Sequence, residues 1–234
     1  VGGGADVVGL VAAITHVPGT RQQLLFEVRA GLGGIPHEVI NDPNREGVWP
    51  TSRRAWLRIL EIAEATGASH GLLIQDDMVP VRGFRDGALA AIEANPREVI
   101  CFVCLRPALV RLAREAGSSW AIAEDAASGA VAMPVPTIRE FLGWVDANIP
   151  AAYPHDDRRI TAFIVATGRT VWLTMPSLVE HRAATESLLG HSGGRYRTVV
   201  WPADDARAVD WTRGLDRPVR RPIRLPPDVR RLLG

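Results

Sequence analysis

The chain has 234 residues and a formal net charge of +1, with 47% apolar and 23% charged residues. That length suits one α/β domain with core enough to need no disulfide or metal staple. No run approaches the roughly 18–20 consecutive apolar residues of a spanning helix, and no basic-then-apolar leader opens the sequence, so a soluble, cytoplasmic protein is expected.

Val7 to Ile14 is a continuous apolar run of the kind found in strands covered on both faces, and the turn-forming segment His16-Val17-Pro18-Gly19-Thr20 follows it. A helix is expected from Arg21 to Ala30, stopped by Gly31. Val39-Ile40 predicts a short second strand before the turn cluster Asn41-Asp42-Pro43-Asn44. Pro50-Thr51-Ser52 is a helix-start signal, and Trp56, Ile59, Leu60 and Ala63 keep helical spacing up to Gly67. Leu72 to Ile74 is the third strand, and it runs into Gln75-Asp76-Asp77. A buried strand has no use for paired like charges, so their cost must be offset by a cation or by ligand hydroxyls. Phe84 to Ala94 predicts a helix and Val99 to Leu105 a fourth strand. The latter contains Cys101 and Cys104, the only cysteines. Their CxxC spacing lacks the second pair or nearby His that a zinc site needs, and they read as buried strand residues.

The second half alternates less regularly. A helix is expected near Leu109 to Ala116, a strand around Ala130 to Met133 and an amphipathic helix from Thr137 to Ala147. His155-Asp156-Asp157 leads into a helix carrying Ile160, Phe163 and Ile164 on one face, and a strand from Thr170 to Thr174 precedes Pro176-Ser177-Leu178-Val179-Glu180-His181. Strand and helix in this alternation point to a mostly parallel sheet with helices on both faces, whose ligands gather at the carboxyl ends of the strands.

An apolar strand ending in two acids after the third β-unit, a later Asp-Asp at a helix start, and a strand leading to Pro-Ser-Leu-Val-Glu-His resemble the nucleotide-sugar glycosyltransferases of the GT-A fold. The likeness is closer to small glycosyltransferase-like proteins, several of them from bacteriophages, with a Gln-Asp-Asp or Glu-Asp-Asp strand end. It covers roughly residues 7 to 190. It implies a Rossmann-like GT-A domain over 1–190, with 191–234 as a basic extension that packs on the domain or contacts the acceptor.

The resemblance also implies roles. Transfer of a sugar from a nucleoside diphosphate leaves negative charge on the leaving group, which a divalent cation, manganese or magnesium, can neutralise. Asp77 matches the metal-binding acid, His181 the histidine that completes the metal site, and Gln75 the ribose-facing position, where the family has Asp; Asp76 lies between. His16 and Arg21 after the first strand, Asp42 after the second, and Trp49 and Arg53 at the next helix start fall where the family receives its nucleotide. In inverting members a carboxylate at a helix start takes the acceptor's proton; Asp157 matches it, with Asp156 orienting the acceptor or capping the helix. For each, an ordinary reading exists: turn former, helix cap or packing residue.

All 27 basic residues are arginine, and residues 181–234 hold 11 of them against 6 acids, whereas 1–180 hold 16 against 20. From Arg213 onward, 7 Arg and 2 acids sit among four prolines. Such a tail can neutralise phosphates, and with the phage likeness it makes a 5-hydroxymethylpyrimidine in DNA the leading acceptor for a hexose from a UDP-sugar. A solvated surface or a packing arm is the commoner reason for a charge run. A cell-surface glycan or a small molecule is the alternative acceptor, and a non-catalytic nucleotide- or nucleic-acid-binding protein the alternative class.

Overall fold

The first strand, β1 (Leu10–His16), is almost wholly buried, as its unbroken apolar run requires. It lies parallel to β2 (His37–Asn41) on one side and β3 (His70–Gln75) on the other. The computed structural model describes residues 8–19, 21–125, 129–182, 201–220 and 225–233. An eight-stranded sheet runs in the order β10-β6-β8-β5-β7-β3-β1-β2, with β5 (Val99–Cys101), β6 (Trp120–Ala123), β7 (Ala130–Pro134), β8 (Val171–Thr174) and β10 (Val219–Arg220) completing it. β7 is antiparallel to both β3 and β5, and β8 is parallel to β5, so β1, β2, β3, β5 and β8 share one direction. Their carboxyl ends form one edge of the sheet. β6 opposes β8, and β10 runs with β6.

Helices α1 (Gln22–Gly31) and α2 (Val48–Thr66) link β1 to β2 and β2 to β3. These two connections step in opposite directions along the sheet, and right-handed crossovers therefore put α1 and α2 on opposite faces. The place where the chain reverses is the crevice between the carboxyl ends of β1 and β3, the position where open α/β sheets receive ligands. On the α2 face, α5 (Val135–Asn148) packs beside α2 and α6 (Asp156–Ala166) beside α5. Trp49, Trp56 and Phe163 meet Phe141 edge-on there, at 5.5–6.1 Å between ring centres. Among the described residues the remaining α-helices are α3 (Phe84–Ala94), α4 (Pro107–Ala116) and α7 (Pro227–Leu232).

The mostly parallel α/β architecture is as expected, and α3 has the expected ends. The fourth strand is shorter than its apolar run: Phe102 still donates its backbone N–H to Ala130 O of β7 at 2.9 Å, and beyond it the chain leaves the sheet. A separate two-stranded sheet joins β4 (Met78–Pro80) to β9 (Val179–His181), the strand that follows the Pro-Ser turn. Both cysteines are buried thiols, and burial pushes Cys104 up to about 11.

The described part of residues 191–234 lies against the body of the protein, burying Ala203, Ala206, Trp211 and Val229. Trp120 donates its indole N–H to Trp211 O at 2.8 Å, and Tyr153 donates its hydroxyl to Asp228 of α7 at 2.6 Å. Among the described residues no helix is long and apolar enough to cross a membrane.

Candidate functional site

The crevice between β1 and β3 is lined by charge. Asp76 and Asp77 follow the last residue of β3 and are both buried, with 3% and 7% of their surface exposed. Asp76 hangs from the β1 side: its N–H donates to Thr15 O, and its Oδ2 accepts from His16 Nδ1 at 2.7 Å and from the Val17 N–H at 3.4 Å. Gln22 Nε2 lies 3.2 Å from His16 Nε2. The His16 ring is thus held at both nitrogens, by Asp76 on one side and Gln22 on the other.

Arg21, the residue before α1, closes the gap between the two carboxylates. Its Nη1 lies 2.8 Å from Asp76 Oδ1 and 2.8 Å from Asp77 Oδ2. Burial works against the Arg21 charge, yet the Asp77 and Asp76 carboxylates outweigh it and hold the guanidinium above its ordinary pKa. The electrostatic debt of the acid pair is thus offset from within the chain.

His181 arrives from the other end of the sequence. The β4–β9 ladder pairs Met78 with His181, which sets the imidazole beside the residue before Met78: His181 Nε2 is 3.5 Å from Asp77 Oδ2. A backbone bond from Arg182 N to Asp77 O at 2.9 Å fixes the same register. Asp77 Oδ1 is buried with no hydrogen-bond donor among the described residues, an acceptor that a ligand hydroxyl or a cation would satisfy.

Asp77 and His181 were expected to hold a divalent ion, and the donor set as it stands does not fit one. Two protein donors converge, and the guanidinium of Arg21 sits on the Asp77 oxygen nearest the imidazole. The described residues contain no group of three His, Cys, Asp or Glu side chains placed for an ion. An ion there would face a fixed positive charge within hydrogen-bond distance of its own ligand.

The other candidate residues divide between the crevice edge and plain structure. Gln75 ends β3 half-buried, its N–H donating to Gly129 O at 2.9 Å. Asp42 is buried; its Oδ1 accepts from the Glu46 N–H at 2.8 Å and its Oδ2 from the Gly47 N–H at 3.3 Å, so both oxygens organise the loop into α2. Arg53 was expected to line the donor pocket; instead it makes an exposed two-pronged pair with Asp146 of α5, at 3.2 and 2.8 Å. A residue one turn into α2 on its α5-facing side points away from the crevice. Trp49 is buried against Phe141 and Arg159.

Asp156 and Asp157 open α6, and their environments differ. Asp156 is buried, accepting from Ser52 Oγ at 2.7 Å and from the Asp157 N–H at 2.7 Å. Asp157 is half-exposed, accepts from the Arg158 N–H and has the Arg158 guanidinium 3.8 Å away. Because Ser52 lies at the start of α2, just past the carboxyl end of β2, the Ser52–Asp156 bond carries Asp157 to the same edge of the sheet as Asp77. Arg159, fully buried, clamps the preceding turn by donating to the carbonyls of Pro150, Ala151 and Tyr153, and its guanidinium stacks 4.3 Å from the Trp49 ring centre. Burial, the Asp228 hydrogen bond and its charge push the Tyr153 phenol well above its ordinary value.

Sequence reasoning missed Gln22, Ser52 and Arg159 as partners of the site. Only adjacency to Arg21, Pro50-Thr51 and the Asp pair marked them, and adjacency does not reveal where a side chain points.

No family model matches the chain, and no curated protein matches it. Among solved structures it is similar to A197 from STIV, at 14% identity over 74% of this chain and 84% of that one, with a TM-score of 0.47. A glycosyltransferase involved in the glycosylation of the major capsid of PBCV-1 overlays at 9% identity, 72% and 82% coverage and a TM-score of 0.47. CMP:2-keto-3-deoxy-manno-octonic acid synthetase complexed with CTP overlays at 13% identity, 73% and 91% coverage and a TM-score of 0.41. At these identities and scores no residue role is transferred from them.

Proposed function

We propose that the protein is a nucleotide-sugar glycosyltransferase that moves a sugar to an acceptor hydroxyl. The observation that carries this reading is the cluster of Arg21, Asp76, Asp77 and His181 in the crevice where the sheet reverses. Such a crevice receives nucleotides, and α1 begins at Gln22 with its positive end toward it. In this reading Asp77 Oδ1, which has no donor among the described residues, accepts a hydrogen bond from a hydroxyl of the donor sugar nucleotide, and Arg21 with the start of α1 meets the diphosphate. Asp76 and His16 hold the β1 loop in place. Asp157 takes the proton of the acceptor hydroxyl as its oxygen bonds to the anomeric carbon. The bond from that carbon to the diphosphate oxygen breaks in the same displacement, which inverts the centre.

The test is slow donor hydrolysis. The full chain is incubated with a panel of sugar nucleotides, UDP-hexoses first, and release of nucleoside diphosphate is followed by NMR, with and without manganese. Turnover that Asp77→Asn abolishes in a folded protein supports the reading; turnover unchanged in that variant overturns it. Nucleotide binding without any turnover would favour the non-catalytic alternative, to which Gln75 lends support as a neutral side chain at the ribose-facing place. For the acceptor, transfer is compared on 5-hydroxymethylated and unmodified duplex DNA and on a glycan. Equal inertness toward both duplexes removes DNA.

A further inference from the structure

We propose that Arg21 is a resident counter-cation occupying the place of a divalent ion, so that a nucleoside diphosphate binds this crevice without metal. The inference deepens the glycosyltransferase reading and rests on it for the ligand; the geometry of the closed acid pair stands independently.

Three observations carry it. First, one nitrogen of Arg21 bridges an oxygen of each carboxylate at the same 2.8 Å distance, a position a shared cation would take. Second, the bridge is built in from several sides. The Asp76 carboxylate is also fixed by His16 and by the Val17 N–H and does not turn away without breaking buried bonds, and the backbone of Asp77 is held beside it by the Arg182 N–H on its carbonyl. Third, His181, the imidazole beside Asp77, approaches the Asp77 oxygen that Arg21 already holds, while His16 is committed to Asp76. A divalent ion seeking Asp77 Oδ2 and His181 Nε2 together meets that guanidinium at hydrogen-bond range.

Removing Arg21 leaves the acid pair without its internal cation. Asp76 Oδ1 and Asp77 Oδ2, each 2.8 Å from the vacated nitrogen, and His181 Nε2, 3.5 Å from Asp77 Oδ2, are then free to close on an ion, a mixed oxygen and imidazole set that suits manganese. The substitution therefore exchanges one kind of charge compensation for another.

The experiment is a manganese titration of the full chain followed by EPR, in which bound ion loses the six-line signal of the free ion. Wild-type protein is expected to leave the signal of equimolar manganese undiminished. Arg21→Ala is expected to quench it, and Arg21→Ala combined with Asp77→Asn to restore it. Stoichiometric quenching by the wild type that Asp77→Asn removes would overturn the proposal. The wild-type titration decides by itself if Arg21→Ala does not fold, as judged by circular dichroism. A second arm measures UDP binding by calorimetry in EDTA and in manganese. Equal affinity in the two buffers for the wild type, with at least a tenfold loss for Arg21→Ala in EDTA, is expected; wild-type binding that needs manganese overturns the proposal. If UDP and the other nucleoside diphosphates bind in neither buffer, the glycosyltransferase reading and the ligand part of the proposal fail together, while the EPR arm still decides whether Arg21 closes the pair to metal.

Discussion

Ser52 donates a hydrogen bond of 2.7 Å to Asp156 across 104 residues of sequence, with both side chains buried. The bond ties the start of α6 to the start of α2 and separates two adjacent acids that look alike in sequence. Asp156 has one oxygen on Ser52 and the other on the backbone of Asp157, which leaves it a holding role. Ser52→Ala takes a donor from a buried carboxylate without replacing it. Urea unfolding at pH 7 should show a loss of about 1–3 kcal/mol. A change below about 0.5 kcal/mol would mean that water or another group replaces the hydroxyl.

Asp157 then stands alone as the base of the proposed transfer. Asp157→Asn keeps the size and the helix-start hydrogen bond to the Arg158 N–H, so unfolding should shift by no more than about 0.5 kcal/mol. Transfer should fall by about 10²–10⁴, the usual worth of a general base, with donor binding unchanged. If Asp157→Asn transfers at the wild-type rate, the base lies elsewhere.

What the sequence disclosed follows the range over which each signal acts. Apolar runs and helical spacing are local, and the long elements stand close to where they were expected: α2 and α6 within two residues of their expected starts, α3 at both ends. The strands β4 and β9 are three residues each, with Pro80 in one and Glu180 in the other, too short and polar to stand out from a turn. Their pairing nevertheless delivers His181 to Asp77. The acid pair was legible as a charge problem, but its solution was not. Arg21 is 55 residues from Asp76, and no periodicity says which of 27 arginines turns inward. Arg53, a helix-start arginine of similar appearance, faces Asp146 instead.

Gly71 shows how closely the α2 face is packed on the strand that carries the acids. A Cβ there would lie 2.0 Å from Ile59 Cγ2 and 2.8 Å from Ile138 Cδ1, so α2 and α5 both rest against the bare backbone of β3. Both isoleucines are fully buried and have little room to retreat. Gly71→Ala should cost about 1–3 kcal/mol by overpacking, read from the urea midpoint. Pairing it with Ile59→Leu, which moves the branch off Cβ and so removes Cγ2 at similar volume, should return part of the loss. Additive losses in the double variant would show that the strain is not at this contact.

His70, at the amino end of β3 and far from the crevice, supplies a pH-dependent term. The ring is buried between Ser69 Oγ at 2.9 Å and Pro96 O at 3.0 Å, and burial outweighs the Pro96 hydrogen bond to push it down to about 4. An unfolded histidine takes up its proton near pH 6.5. Between pH 6.5 and about 4 the unfolded chain therefore binds the proton that the folded chain refuses, and stability falls as pH falls through that window. From pH 7 to pH 5, above the range where most carboxylates titrate, the loss should be about 2 kcal/mol. Gln at position 70 cannot titrate, so the difference in urea stability between wild type and His70→Gln should shrink or reverse by that amount over the same interval. A difference that stays constant from pH 7 to pH 5 would mean that His70 takes its proton in the folded state as readily as in the unfolded one.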